Sequence, residues 1–117
     1  MSRSSLKVAK RPSNEVVFAA LGDRTRLSLV EKLCDGQPCS ISQLTEETSL
    51  TRQAVTKHLR VLEDAGFVSG TRMGREVRYE FNPQPIEDIK QYLDLVSAHW
   101  DQALARLQAF VEGKPGI

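Results

Sequence analysis

The side chains best equipped for chemistry in this chain gather between Ser49 and Arg60, where hydroxyls, an amide and three permanent cations follow one another closely. Arg52, Lys57 and Arg60 can bond phosphate oxygens, and an arginine that reaches a base can pair with guanine. Gln53 can pair with adenine through two hydrogen bonds, and the methyl group of Thr56 can touch thymine. Ser49 and Thr51 offer hydroxyls and amide protons at a helix start, where the helix dipole favours an anion. Alternatives stand beside two of these: Thr51 can serve only as a cap, and Arg60 can pair with Asp64 one turn later. His58 adjoins an apolar stripe, which suits partial packing or a phosphate contact better than metal ligation. A second basic group, Arg72 and Arg75, flanks Gly74, with Arg78 further along. This is the chemistry of recognition. No Ser/His/Asp set, no paired carboxylates in a cleft motif and no phosphate-cradling glycine loop accompanies it, so an enzyme is not expected.

The elements that hold these residues are legible in the pattern. Val55, Leu59 and Leu62 recur at helical spacing after a capping Thr51, and Gly66 stands where a helix C-cap belongs, so residues 51 to 66 are predicted as one helix. Upstream, Ser40-Ile41-Ser42-Gln43 matches a capping box and predicts a short helix from Ile41 to about Glu47. A tight turn, Thr48-Ser49-Leu50, joins the two, making a helix-turn-helix whose second member is the recognition helix. Before it, Ser13 can cap a helix carrying Val16, Val17, Ala20 and Leu21. A second helix, Arg24 to about Cys34, then presents Leu27, Val30 and Leu33 ahead of a break at Asp35-Gly36-Gln37-Pro38. After Val68 the period changes to two: 68 to 73 and 75 to 81 read as a hairpin whose tip carries Arg72 and Arg75, which would reach the minor groove or its phosphates. Pro85 can open a last helix running to Glu112, with Ile86, Ile89, Tyr92, Leu93, Val96, Trp100, Ala103, Leu104, Leu107, Phe110 and Val111 on one broad stripe. At 1.5 Å per residue that helix is roughly 40 Å long, more than one small core can cover. The surplus face is expected to pack on a second copy of the chain.

The chain has 117 residues, room for one hydrophobic core, and its net charge of only +1 hides an asymmetry. Residues 1 to 12 carry Arg3, Lys7, Lys10 and Arg11 and no acid; residues 51 to 78 carry six basic residues against three acids; the remainder sums to −6. A nearly neutral protein can thus turn one cationic surface toward a polyanion. The expected organisation is a flexible basic arm (1 to 12), a DNA-binding unit (13 to 84), a long dimerisation helix (85 to 112) and a tail (113 to 117). No apolar run is long enough to span a membrane and the N-terminus lacks a signal-peptide core, so a cytoplasmic protein is expected, with no membrane partner and with Cys34 and Cys39 reduced.

Taken together, FAALGDRTRLSLVEKL (18 to 33), LTRQAVTKHLRVLEDAGFV (50 to 68) and GREVRYEF (74 to 81) resemble the ArsR/SmtB family of bacterial regulators. The resemblance spans about residues 14 to 112. It implies a mainly α fold with a small β-hairpin, the winged helix-turn-helix in the order α-α-α-α-β-β-α. It also implies a homodimer held by its first and last helices, here through Val17, Leu21, Leu93, Val96, Trp100, Leu104 and Leu107. Such a dimer binds an imperfect palindrome of double-stranded DNA in a promoter, commonly as a repressor, and releases it when an inducer binds.

The family's metal motifs are missing: no Cys pair lies early in the third helix, and the last helix holds a single histidine, His99. The C-terminal HWDQALARLQAFVEG resembles a branch of the family without those motifs. Cofactors and metals are therefore not expected, although an unknown small molecule could act as inducer. For the thiols, one reading makes Cys34 a small core residue and Cys39 an incidental loop thiol. The other makes the pair a redox- or metal-responsive switch across the Gly-Pro turn.

Overall fold

The computed structural model describes residues 12–113. The basic arm expected at the N-terminus, up to residue 11, and residues 114–117 of the tail lie outside the described residues. The elements are α1 (Asn14–Leu21), α2 (Arg24–Leu33), β1 (Cys39–Ser40), α3 (Ile41–Glu46), α4 (Arg52–Asp64), β2 (Val68–Met73), β3 (Glu76–Phe81) and α5 (Gln84–Val111). The fold is mostly helical with a small antiparallel sheet in the strand order β1-β3-β2.

Local chemistry explains most of the boundaries. The Ser40 hydroxyl accepts the Gln43 amide at 3.1 Å while the Gln43 side chain accepts the Ser40 amide at 2.8 Å, the reciprocal capping box that starts α3. Asp23 caps α2 by accepting the Arg26 amide at 3.0 Å. Ser13 stands at the N-cap of α1 without a side-chain bond; its backbone carbonyl alone accepts there. At the end of α4, Phe67 N–H donates to the Leu62 carbonyl at 2.9 Å and Gly66 N–H to that of Glu63 at 3.0 Å. This paired closure needs the left-handed φ of +85° that Gly66 adopts without strain. The hairpin turns at Gly74-Arg75, again with positive φ at the glycine, so β3 begins at Glu76, one residue later than expected.

The core is built by Val17, Ala20, Leu29, Leu33, Leu44, Val55, Leu59, Leu62, Phe67 and Val68, with Ile89 closing it from α5. Three expectations need correction here. The buried face of α2 is Leu29, Val30 and Leu33, and Leu27 is exposed, because α2 is held between α1, α4 and β3 and those neighbours choose the face. Val17 is only 2% exposed within its own chain, so it is a core residue and offers no surface to a second copy; Leu21 is half-buried against the same core. Cys39 lies in a strand rather than a loop, pairing with Tyr79, and is packed on the core, whereas Cys34, expected inside, is the exposed thiol.

The last helix starts at Gln84, one residue before Pro85, and packs on α1 through its first turns, where Phe18 and Tyr92 meet edge to face at 6.1 Å. Beyond that its large apolar side chains are without cover among the described residues. Leu93, Val96, Trp100, Leu104 and Leu107 all stand in solvent, Trp100 with 62% of its surface exposed. Each of these large side chains, if moved out of water, would contribute about 1.5–3 kcal/mol.

Candidate nucleic-acid interface

The recognition helix α4 is amphipathic in a way that decides which side chains can leave the protein. Val55, Leu59 and Leu62 are fully buried, and this anchoring turns Arg52, Gln53, Lys57 and Arg60 outward. Thr51 caps the helix, its hydroxyl accepting the Ala54 amide at 3.1 Å, so the cap role is real and leaves the first amides of α4 facing out with Ser49 beside them. Among the described residues Arg60 makes no ion pair with Asp64. Its guanidinium lies near enough to the half-buried Tyr79 to oppose the rise in that phenol's pKa, which burial and then the Glu63 carboxylate cause.

Two of the expected contacts are modified by bonds within the chain. The Thr56 hydroxyl donates back to the Arg52 carbonyl at 2.8 Å, which leaves the methyl group as its free end. Arg52 Nη1 donates to the Ser42 hydroxyl at 3.0 Å, tying α4 to α3 across the turn. Ser42 carries no signal of this in the sequence, since its partner is ten residues away and is chosen by the angle between the helices. The turn itself is held by Thr48, whose hydroxyl donates to the Thr45 carbonyl at 3.2 Å and accepts the Leu50 amide at 3.2 Å.

His58 does not join the outward set. Its ring faces α2, with Nδ1 placed 3.4 Å from Nη1 of Arg26 and 3.8 Å from a carboxylate oxygen of Asp23. Of the two roles expected for His58 the phosphate contact is thereby corrected and partial packing is kept: one helical step from Leu59, its side chain turns toward α2.

On the hairpin Arg72 and Arg75 are exposed, with Arg72 opposite Val77 in the ladder and Arg75 in the turn. Arg78 is tied to Glu76 at 3.2 Å and is partly neutralised. The hairpin is fixed at its base to α4 and its closing turn, where the Gly70 amide donates to Glu63 at 3.4 Å and the Asn82 side-chain amide donates to the Gly66 carbonyl at 3.0 Å. Helix and hairpin thus share one basic edge.

The thiols are free. Cys39 is pushed above its ordinary pKa by burial and then by the Asp35 and Glu47 carboxylates. Among the described residues no group of three or more His, Cys, Asp or Glu side chains converges as a metal site, and no helix is long and apolar enough to cross a membrane.

A helix-turn-helix followed by a basic hairpin defines the winged-helix class of DNA-binding proteins, and comparison with known proteins places this chain within it. Residues 23–69 match the bacterial regulatory protein, arsR family. The chain is 36% identical over 83 residues to the uncharacterized HTH-type transcriptional regulator YuzN of Bacillus subtilis, covering 66% of this chain and 90% of that protein. It is 28% identical over 102 residues to the HTH-type transcriptional regulator Rv2034 of Mycobacterium tuberculosis, covering 87% and 92%. Among solved structures it is similar to an ArsR-like transcriptional regulator from Rhodococcus sp. RHA1, with a TM-score of 0.79 and 33% identity over 86% of this chain and 92% of that one. The chain belongs to the arsR family of bacterial regulatory proteins and is a DNA-binding transcription regulator.

Proposed function

We propose that the chain is a repressor that binds an imperfect palindrome in a promoter as a homodimer, each copy reading one half-site. The observation that carries the reading is the outward set Gln53, Lys57 and Arg60 on a helix anchored by three buried residues, beside the exposed Arg72 and Arg75. Gln53 and the Thr56 methyl read bases in the major groove, Arg60 and Lys57 bond phosphate or guanine, and the hairpin arginines grip the adjacent minor groove or its phosphates. The uncovered stripe from Leu93 to Leu107 supports pairing of two copies, which would set their recognition helices about one helical turn, roughly 34 Å, apart. No catalytic role is assigned.

Release is assigned to an inducer of unidentified chemistry. A thiol- or metal-responsive switch through Cys34 and Cys39 has less support, because the raised pKa of Cys39 keeps its thiolate scarce and the thiolate is both the metal ligand and the oxidisable form. Replacing both residues with serine should leave DNA release under oxidant unchanged.

The test is a gel shift with the chain's own upstream region at moderate salt. A specific shift is expected, and Gln53→Ala should change which sequences are preferred. Absence of any shift beyond that of a random duplex, or equal weakening of Gln53→Ala on all sequences, refutes respectively the DNA reading and the base-reading role.

A further inference from the structure

Arg26 sits in the first turn of α2, and its half-buried guanidinium is the hub of a polar cluster. Nε donates to the Ala20 carbonyl at 2.6 Å and Nη2 to the Ala19 carbonyl at 3.2 Å. Both carbonyls belong to the last turn of α1, at the negative end of the helix dipole, and that of Ala19 also accepts the Gly22 amide at 3.1 Å. The remaining nitrogen, Nη1, lies 3.4 Å from Nδ1 of His58 on α4. A guanidinium only donates, so this contact is a hydrogen bond in the tautomer whose Nδ1 carries no proton. Asp23 completes the cluster: its carboxylate accepts the Arg26 amide at 3.0 Å and stands 3.8 Å from the same Nδ1.

One planar group therefore joins three helices, and α1 in turn packs on α5, which bears the uncovered apolar stripe. The apolar anchors Val55, Leu59 and Leu62 set the depth of α4, but burial is non-directional and fixes rotation and tilt poorly. The fork of an arginine is directional, and a lysine cannot span the same partners. For a helix of about 20 Å, a tilt of about 5° moves each end by about 1 Å, enough to carry a base-edge hydrogen bond out of range.

We propose that Arg26 is a positioning residue for sequence-specific DNA binding, which holds the recognition helix through His58 in fixed relation to the α1–α5 layer. The inference rests on the DNA-binding reading of α4. It gives His58 a role that requires no contact with DNA, and it makes the orientation of α4 answer to whatever moves α1.

The test uses the full chain with His58→Leu, Arg26→Lys and the double variant, measuring Kd on the chain's own upstream duplex and on a random duplex, together with the melting temperature. Leucine fills the half-buried site with an apolar side chain, so His58→Leu should melt within a few degrees of the parent protein. Its affinity for the specific duplex should fall about tenfold, the equivalent of about 1.4 kcal/mol, with the random duplex bound as before. The double variant should lose no more than Arg26→Lys alone, because the link to His58 is already broken in that single variant. Unchanged specific affinity in His58→Leu, additive losses in the double variant, or a melting temperature that falls in step with affinity would each overturn the proposal. If the unaltered chain fails to prefer its upstream duplex, the DNA-binding reading falls with it; preference in the unaltered chain with full affinity in His58→Leu overturns the positioning role alone.

Discussion

Thr51 stands where stability and recognition can be separated by three substitutions at one position. Its hydroxyl accepts the Ala54 amide at 3.1 Å, and it is exposed at the end of α4 turned toward the proposed phosphate contact. Thr51→Ala removes the cap and leaves an orphan amide in solvent reach, which costs about 1 kcal/mol. For a domain of this size that lowers the melting temperature by about 4 °C. Thr51→Ser keeps the bond and should behave as the parent does. Thr51→Asp keeps a capping oxygen and favours the helix dipole, so the protein should melt no lower than the parent. Its negative charge, however, would lie roughly 6 Å from a phosphate, a repulsion of roughly 1–3 kcal/mol between the water-like and protein-surface limits, or about five- to a hundredfold in Kd. Thermal unfolding by circular dichroism reads the first effect and fluorescence anisotropy on the upstream duplex reads the second. A Thr51→Asp protein that binds as tightly as the parent would refute the placement of the α4 N-terminus against the backbone, and a Thr51→Ala protein with unchanged melting would refute the cap.

Other outcomes follow from the same geometry. Arg72→Ala and Arg75→Ala should each weaken binding on all sequences and lower the slope of log Kobs against log salt by about one, as loss of one phosphate contact requires; an unchanged slope would remove the hairpin from the interface. Trp100→Asp combined with Leu104→Asp should leave the chain folded, since both residues are exposed in the single chain, yet monomeric in sedimentation analysis and without specific DNA binding; a persistent dimer would show that α5 is not the interface. Asp23 is held below the ordinary carboxylate value chiefly by the Arg26 amide it accepts. Its contribution to stability is thus fully present above the unfolded value of 3.8 and is lost as pH falls through the lower folded value. Asp23→Ala should be less stable than the parent at neutral pH and converge with it in strong acid, measured by melting across pH 2 to 6; a constant difference at every pH would contradict the assignment.

The parts of the protein that could be read from the chain are those decided within a few residues. The capping box of α3, the Thr51 cap, the closure at Gly66 and the stripe Val55, Leu59, Leu62 are all local, and the outward set Arg52, Gln53, Lys57 and Arg60 follows from that stripe by helical geometry alone. The alternation in β3 likewise announces the hairpin, and the apolar length of α5 announces more surface than one core can hide.

What tertiary structure decided is the choice among faces and partners. The strand Cys39–Ser40 exists only because β3 offers it a ladder. Leu27 and Leu29 are equally apolar, and the position of α2 between α1, α4 and β3 buries one and exposes the other. Cys34 and Cys39 exchange their expected environments for the same reason, and Val17 leaves the expected dimer surface for the core. His58 is the sharpest case. One step from the buried stripe, it could turn toward DNA or toward the protein, and its direction was settled by Asp23 and Arg26, distant in sequence and brought beneath α4 by the packing of α2. Sequence periodicity sets which residues share a helix face; the rotation and tilt of that helix are set by directional bonds from elsewhere in the fold.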